Sequence, residues 1–142
     1  MILVDVNVLV AAHRADHPHH ALVDPWFAAL TAGDDQFWVP DPVWASFVRI
    51  STNRRIFDVP TPLNDAFDFI QAVRGQPNHL ALVPSERHID LFESLCRDYD
   101  ALGDLSADAY IAAMALDHGC EVVSLDRDFA RFSRVPWCRP GG

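Results

Sequence analysis

The chain has 142 residues, half of them apolar, so one compact domain spanning residues 1–142 is expected. Its formal charge is -9, from 17 Asp, 3 Glu and 11 basic residues that are all Arg. Without a single lysine, a P-loop, a Schiff-base enzyme, a receiver domain and most aspartate-phosphatase sites each lack a group that their chemistry uses.

A domain of this length buries roughly 68–70% of its unfolded surface, so neither a disulfide nor a metal is needed merely to fold. Cys96, Cys120 and Cys138 are odd in number, far apart and form no CxxC pair. That argues for three reduced thiols rather than a disulfide frame, a zinc cage or a thioredoxin-type site. The longest apolar runs are strand-sized, and Met1 leads into a strand without a basic leader, so a soluble, cytoplasmic protein with no membrane contact is expected.

In chain order, an apolar strand over residues 2–5 ends on Asp5, and residues 6–13 suit a short helix. "RADHPHH" reads as a connection; residues 19–31 form a helix with Leu22, Trp26, Ala29 and Leu30 on one stripe, and residues 36–39 a short strand. Asp41 as N-cap and Pro42 at the first helical position start the next helix. A proline-rich loop leads to a helix over 63–73, followed by a strand over 80–83. Ser85 is expected to cap a helix reaching about residue 99, and a further helix runs over 106–118 and closes at Gly119. Residues 121–125 form a strand, 128–132 a helical turn and 135–138 a short edge strand.

Strands alternating with helices imply an α/β fold with a parallel sheet of four to five strands, covered on both faces. Ligands of such sheets sit beyond the carboxyl ends of the strands. Two strands end there in acids, Asp5 and Asp126, and Asp108 is expected in the first turn of the helix feeding the second of them. Asp104 stands near the same helix start, where plain capping is the competing reading.

Two ionised carboxylates about 5 Å apart repel by roughly 3 kcal/mol at an effective dielectric of 20. Three such pairs approach the whole stability of a domain this size. Protons or a cation must neutralise them, and an all-oxygen site suits Mg²⁺ or Mn²⁺, one ion or two. Such an ion can activate a water and shield phosphate oxygens, which points to phosphodiester hydrolysis.

The segments "ILVDVNVLVAA", "DAYIAAMAL" and "VVSLDRDFARF", in this order, resemble the PIN-domain ribonucleases of the VapC toxin type. "VPDPVWASFVRISTNRRIF" and "VPW" extend the resemblance over nearly the full chain. It implies a three-layer α/β/α sandwich, a Mg²⁺- or Mn²⁺-dependent endoribonuclease, a homodimer, and inhibition by a small cognate antitoxin. Asp5, Asp108 and Asp126 match the family's metal-binding acids and Asp128 a frequent further one. Asn7 and Ser124 match polar residues that order the site. Ser46 stands where the family usually has Glu, so it can act only through a water or a hydrogen bond, and the second ion comes into question. Asp104, Asp128 or Asp41 are the acids available to compensate, with helix capping the alternative for Asp41.

Arg49, Arg54 and Arg55 form one basic island, and Arg127, Arg131, Arg134 and Arg139 another. Either can track RNA locally despite the acidic total, or serve as an ordinary solvated face. Arg49 shares a helical face with Ser46 and Asn53. His13, His17, His19 and His20 lie in or beside a connection broken by Pro18, which favours a surface loop over a metal site. Trp26, Trp44, Phe47, Phe67 and Phe69 recur at helical spacing, as core or dimer interface. Two rivals stand beside the nuclease: a catalytically weakened PIN fold that holds RNA or a partner, and an aspartate-nucleophile phosphohydrolase, which wants an acid where Asn7 stands.

Overall fold

The computed structural model describes residues 1–141. Strand β1 (Ile2–Val4) enters helix α1 (Val6–His13) directly, and α2 (His20–Ala32) leads to β2 (Phe37–Trp38). Helices α3 (Asp41–Ser51), α4 (Leu63–Arg74), α5 (His88–Tyr99) and α6 (Asp104–His118) follow. Strand β3 (Glu121–Val123), a 3₁₀ turn (Arg127–Arg131) and β4 (Trp137–Cys138) complete the described chain.

The sheet is parallel throughout, in the order β2-β1-β3-β4, with Leu3 opposite both Trp38 and Val122. Successive side chains point to opposite faces, and the burial follows that period of two. Val4, Phe37 and Val123 join the core beneath α1 to α4, whereas Leu3, Trp38 and Val122 join the core beneath α5 and α6. This is the expected three-layer α/β/α arrangement. Both faces are covered, which explains why the strands read as unbroken apolar runs.

Three expectations are corrected. Residues 80–83 form no strand: Leu80 N–H donates to Phe37 O at 2.8 Å and one bridge joins Phe37 to His79, but the chain then leaves the sheet. Val83 is 71% exposed there, and Pro84 follows without an N–H to offer a ladder. Ser85 does not cap α5, which begins at His88; its hydroxyl instead donates to Asp117 Oδ1 at 2.6 Å in the last turn of α6. Asp41 is the first residue of α3 rather than its cap, a position held by Pro40.

Candidate active site

The site is built where β1 and β3 end. Asp5 closes β1 and caps α1, its Oδ1 accepting the Val6 N–H at 2.8 Å, and its own N–H donates to Val123 O at 3.0 Å. Ser124, fully buried just past β3, donates its single hydroxyl proton to Asp5 Oδ2 at 2.8 Å. Asn7 stitches the two strand ends together. Its Nδ2 reaches Ser124 Oγ at 2.9 Å and Asp5 Oδ2 at 3.3 Å, while its Oδ1 accepts the Leu125 N–H at 2.9 Å. The Ser124 oxygen in turn accepts the Asp126 N–H at 3.0 Å. Burial pushes the Asp5 carboxyl above its ordinary range; the Ser124 and Val6 hydrogen bonds pull against that, and the Asp126 charge adds to it.

Asp126 caps the 3₁₀ turn, its Oδ1 accepting the Asp128 N–H at 2.9 Å, and the turn swings Asp128 back toward it. Asp108 approaches from α6. That helix begins at Asp104, two residues earlier than the sequence reading placed it, because Gly103 supplies a backbone at φ 56 and its carbonyl accepts the Ser106 hydroxyl at 2.6 Å. Asp108 therefore sits in the second turn, beyond most of the helix dipole's help. Its pKa rises to about 7, first through burial and then through the charges of Asp126, Asp5, Asp128 and Asp104.

One carboxylate oxygen from each of Asp108, Asp126 and Asp128 lies within 4.8 Å of the others. Asp5 is outside this trio, on the wall of an adjoining cleft of about 430 Å³ that Asp108 also lines. Asp104 is exposed at the start of α6 and does not join the trio. Asp41 faces a different groove, with Trp44, Phe67 and Ile70.

Ser46 and Arg49 line the cleft beside Asp5, so the position that departs from the family pattern faces the acids. Arg54, Arg55 and Arg127 are exposed and outside that lining. Arg134 is held by Asp98 and Ser94, both at 2.8 Å, and Arg131 lies 3.6 Å from Asp128. Two of the four histidines are engaged in the packing: His20 bonds Ala11 O at 2.8 Å, and His13 lies 3.1 Å from Thr61 Oγ1 beside the stacked rings of Phe47 and Phe69. Sequence reasoning missed Phe92, Ser106 and Tyr110 in the cleft, whose apolar spacing reads as core until α5 and α6 are packed together.

The donor set fits a divalent ion. Three carboxylates that repel one another, with Arg131 reaching only the outer one, Asp128, at 3.6 Å, offer the all-oxygen donor set that hard cations take.

The PIN-domain family model matches residues 2–135. The chain is 58% identical to Ribonuclease VapC25 of Mycobacterium tuberculosis over 140 residues, 99% of each chain. The chain belongs to the PIN-domain family. Within it, the chain groups with the VapC ribonucleases, toxins of VapBC systems, as a 57% identity to Ribonuclease VapC31 of the same organism over 99% of each chain also shows. The fold agrees: VapBC-1 from nontypeable Haemophilus influenzae superposes with a TM-score of 0.71 at 14% identity, covering all of both chains. Among the described residues no helix is long and apolar enough to cross a membrane.

Proposed function

We propose that this ribonuclease is a Mg²⁺- or Mn²⁺-dependent endoribonuclease whose ion is held by Asp108, Asp126 and Asp128, with Asp5 beside them. The observation that carries the reading is the meeting of three carboxylate oxygens within 4.8 Å of one another next to a cleft, with the Asp108 carboxyl driven up to about 7. A bound divalent ion would supply Lewis-acid charge to phosphate oxygens and acidify water.

The chain's own residues supply the alignment. Asp5, immobilised by Val6, Asn7 and Ser124, presents a fixed carboxylate to the cleft and orients the attacking water rather than following it. Ser124 and Asn7 order the site by locking the two strand ends. Arg49, which lines the same cleft, holds the scissile phosphate. Arg54, Arg55 and Arg127 act farther along the RNA backbone. Cleavage leaves a 5′-phosphate and a 3′-hydroxyl.

The protein works in the cytoplasm with a cognate antitoxin, which the likeness to a VapBC structure supports. It pairs with a second copy of itself, and the apolar groove holding the 46% exposed Phe67 favours protein contact.

Asp5→Asn is the test. It is expected to cut RNA on the order of 10²–10³-fold more slowly while staying folded, the loss typical of removing one transition-state stabiliser. Cleavage at the parent's rate refutes the assignment. The weakened-fold reading is favoured by one observation, the uncharged Ser46 in the cleft. A parent that binds RNA but never cuts it with either ion supports that second reading.

A further inference from the structure

The cleft beside the acids has two unlike walls. Asp5, Asp108, Ser46 and Arg49 are polar, whereas Phe92 from α5 and Tyr110 from α6 are aromatic. Neither ring is fully buried, and their centroids lie 5.4 Å apart at 79°.

Their pose is fixed from behind. His88 is only 2% exposed and spends its Nε2 on the Tyr110 backbone carbonyl at 3.0 Å, which ties α5 to α6. Its ring sits edge-on to Tyr110 at 4.4 Å and nearly parallel to Phe92, stacked at 6.4 Å. A buried imidazole satisfied in this way braces the two rings against collapse into the cleft.

Resting on the nuclease reading above, we propose that Phe92 and Tyr110 form a stacking subsite for one unpaired nucleobase of the RNA, adjacent to the phosphate held at Asp108 and Arg49. A nucleotide matches both sets of side chains at once, carrying a charged phosphate for the ion and Arg49 and a base whose π-face lies on one ring while its edge meets the other, since the rings stand at 79°. The cleft volume of about 430 Å³ suits a ligand of that size. A paired base is already stacked and cannot enter, so the subsite selects single strands, loops or bulges. Stacking tolerates every base, so the rings set strandedness rather than sequence.

The test is binding of a short fluorescent single-stranded RNA of mixed sequence, followed by anisotropy with Mg²⁺ present on Asp5→Asn protein, which cuts slowly and keeps all three carboxylates that would hold the ion. Phe92→Leu and Tyr110→Leu keep an apolar side chain but lose the π-face, and each is expected to weaken binding about tenfold, within the range one stacked base contributes. Phe92→Trp is expected to retain the parent affinity, and blunt duplex RNA to be insensitive to all three changes. Unchanged single-strand affinity in both leucine variants overturns the proposal, as does an equal loss on duplex and single strand. A leucine variant that alters only the molar mass by light scattering also overturns it, and makes this wall an interface between copies. Cleavage by the parent, measured separately, reports on the nuclease reading alone.

Discussion

Burial raises the carboxyls of both Asp5 and Asp108, which face one cleft, yet their partners differ. At the end of β1, a carboxylate that is 7% exposed is met by the Val6 N–H, the Ser124 hydroxyl and the Asn7 amide. On α6, burial first and then the charges of Asp126, Asp5, Asp128 and Asp104 drive a half-buried carboxyl up to about 7. Charge with internal donors can be fixed by the fold; charge among like neighbours awaits a proton or a cation. In the proposed reading the first end is scaffold and the second a cation receptor, and each can be broken separately.

Ser124→Ala strikes the scaffold hardest. It removes the donor to Asp5 Oδ2 and the acceptor of the Asp126 N–H together, leaving Asp5 Oδ2 only the longer Asn7 contact at 3.3 Å and the Asp126 N–H without its acceptor. Losses of about 1–3 kcal/mol in stability by denaturant unfolding and of about 10- to 100-fold in cleavage rate are expected. A variant as stable and active as the parent would show that the strand ends need no such lock.

Ser46→Glu sharpens the receptor side by placing a carboxylate in the cleft where the family usually has one. Tighter Mn²⁺ binding and a several-fold faster cleavage are expected, up to about the tenfold that 1.4 kcal/mol represents. An unchanged rate would mean that Asp128 already does what the missing acid would.

The smallest effect is a pH signature in metal-free protein. Asp108 keeps its proton in the fold up to about pH 7 but loses it near pH 4 when unfolded, so its stabilising share is present below about pH 4 and vanishes as pH rises through 7. With EDTA present, Asp108→Asn is therefore expected to match the parent's thermal midpoint below about pH 4 and to exceed it by a growing margin up to pH 8. A difference that does not change with pH contradicts the crowding of charge inferred at this site.

The legibility of the sequence follows the same division. Strands buried on both faces announced themselves as apolar runs, and their terminal acids Asp5 and Asp126 stood out against them. Residues 80–83 looked alike, yet run length does not reveal whether a sheet edge has room for another strand. Asp108 was readable, but its turn was not, because the left-handed Gly103 moved the start of α6. Asp128 entered the trio through a 3₁₀ turn over Arg127–Arg131, close to the helical turn expected over 128–132, though only the family resemblance marked it as a metal acid. The Phe92 and Tyr110 wall stayed hidden, since it exists only once two helices with ordinary apolar stripes pack together.

Calorimetric titration of Mn²⁺ into the parent and into Asp126→Asn, at a pH above 7, tests most directly whether these acids form a cation receptor. Saturable binding by the parent that disappears in the variant is the predicted result. Identical heats from the two proteins, or none from the parent at millimolar ion, would contradict it.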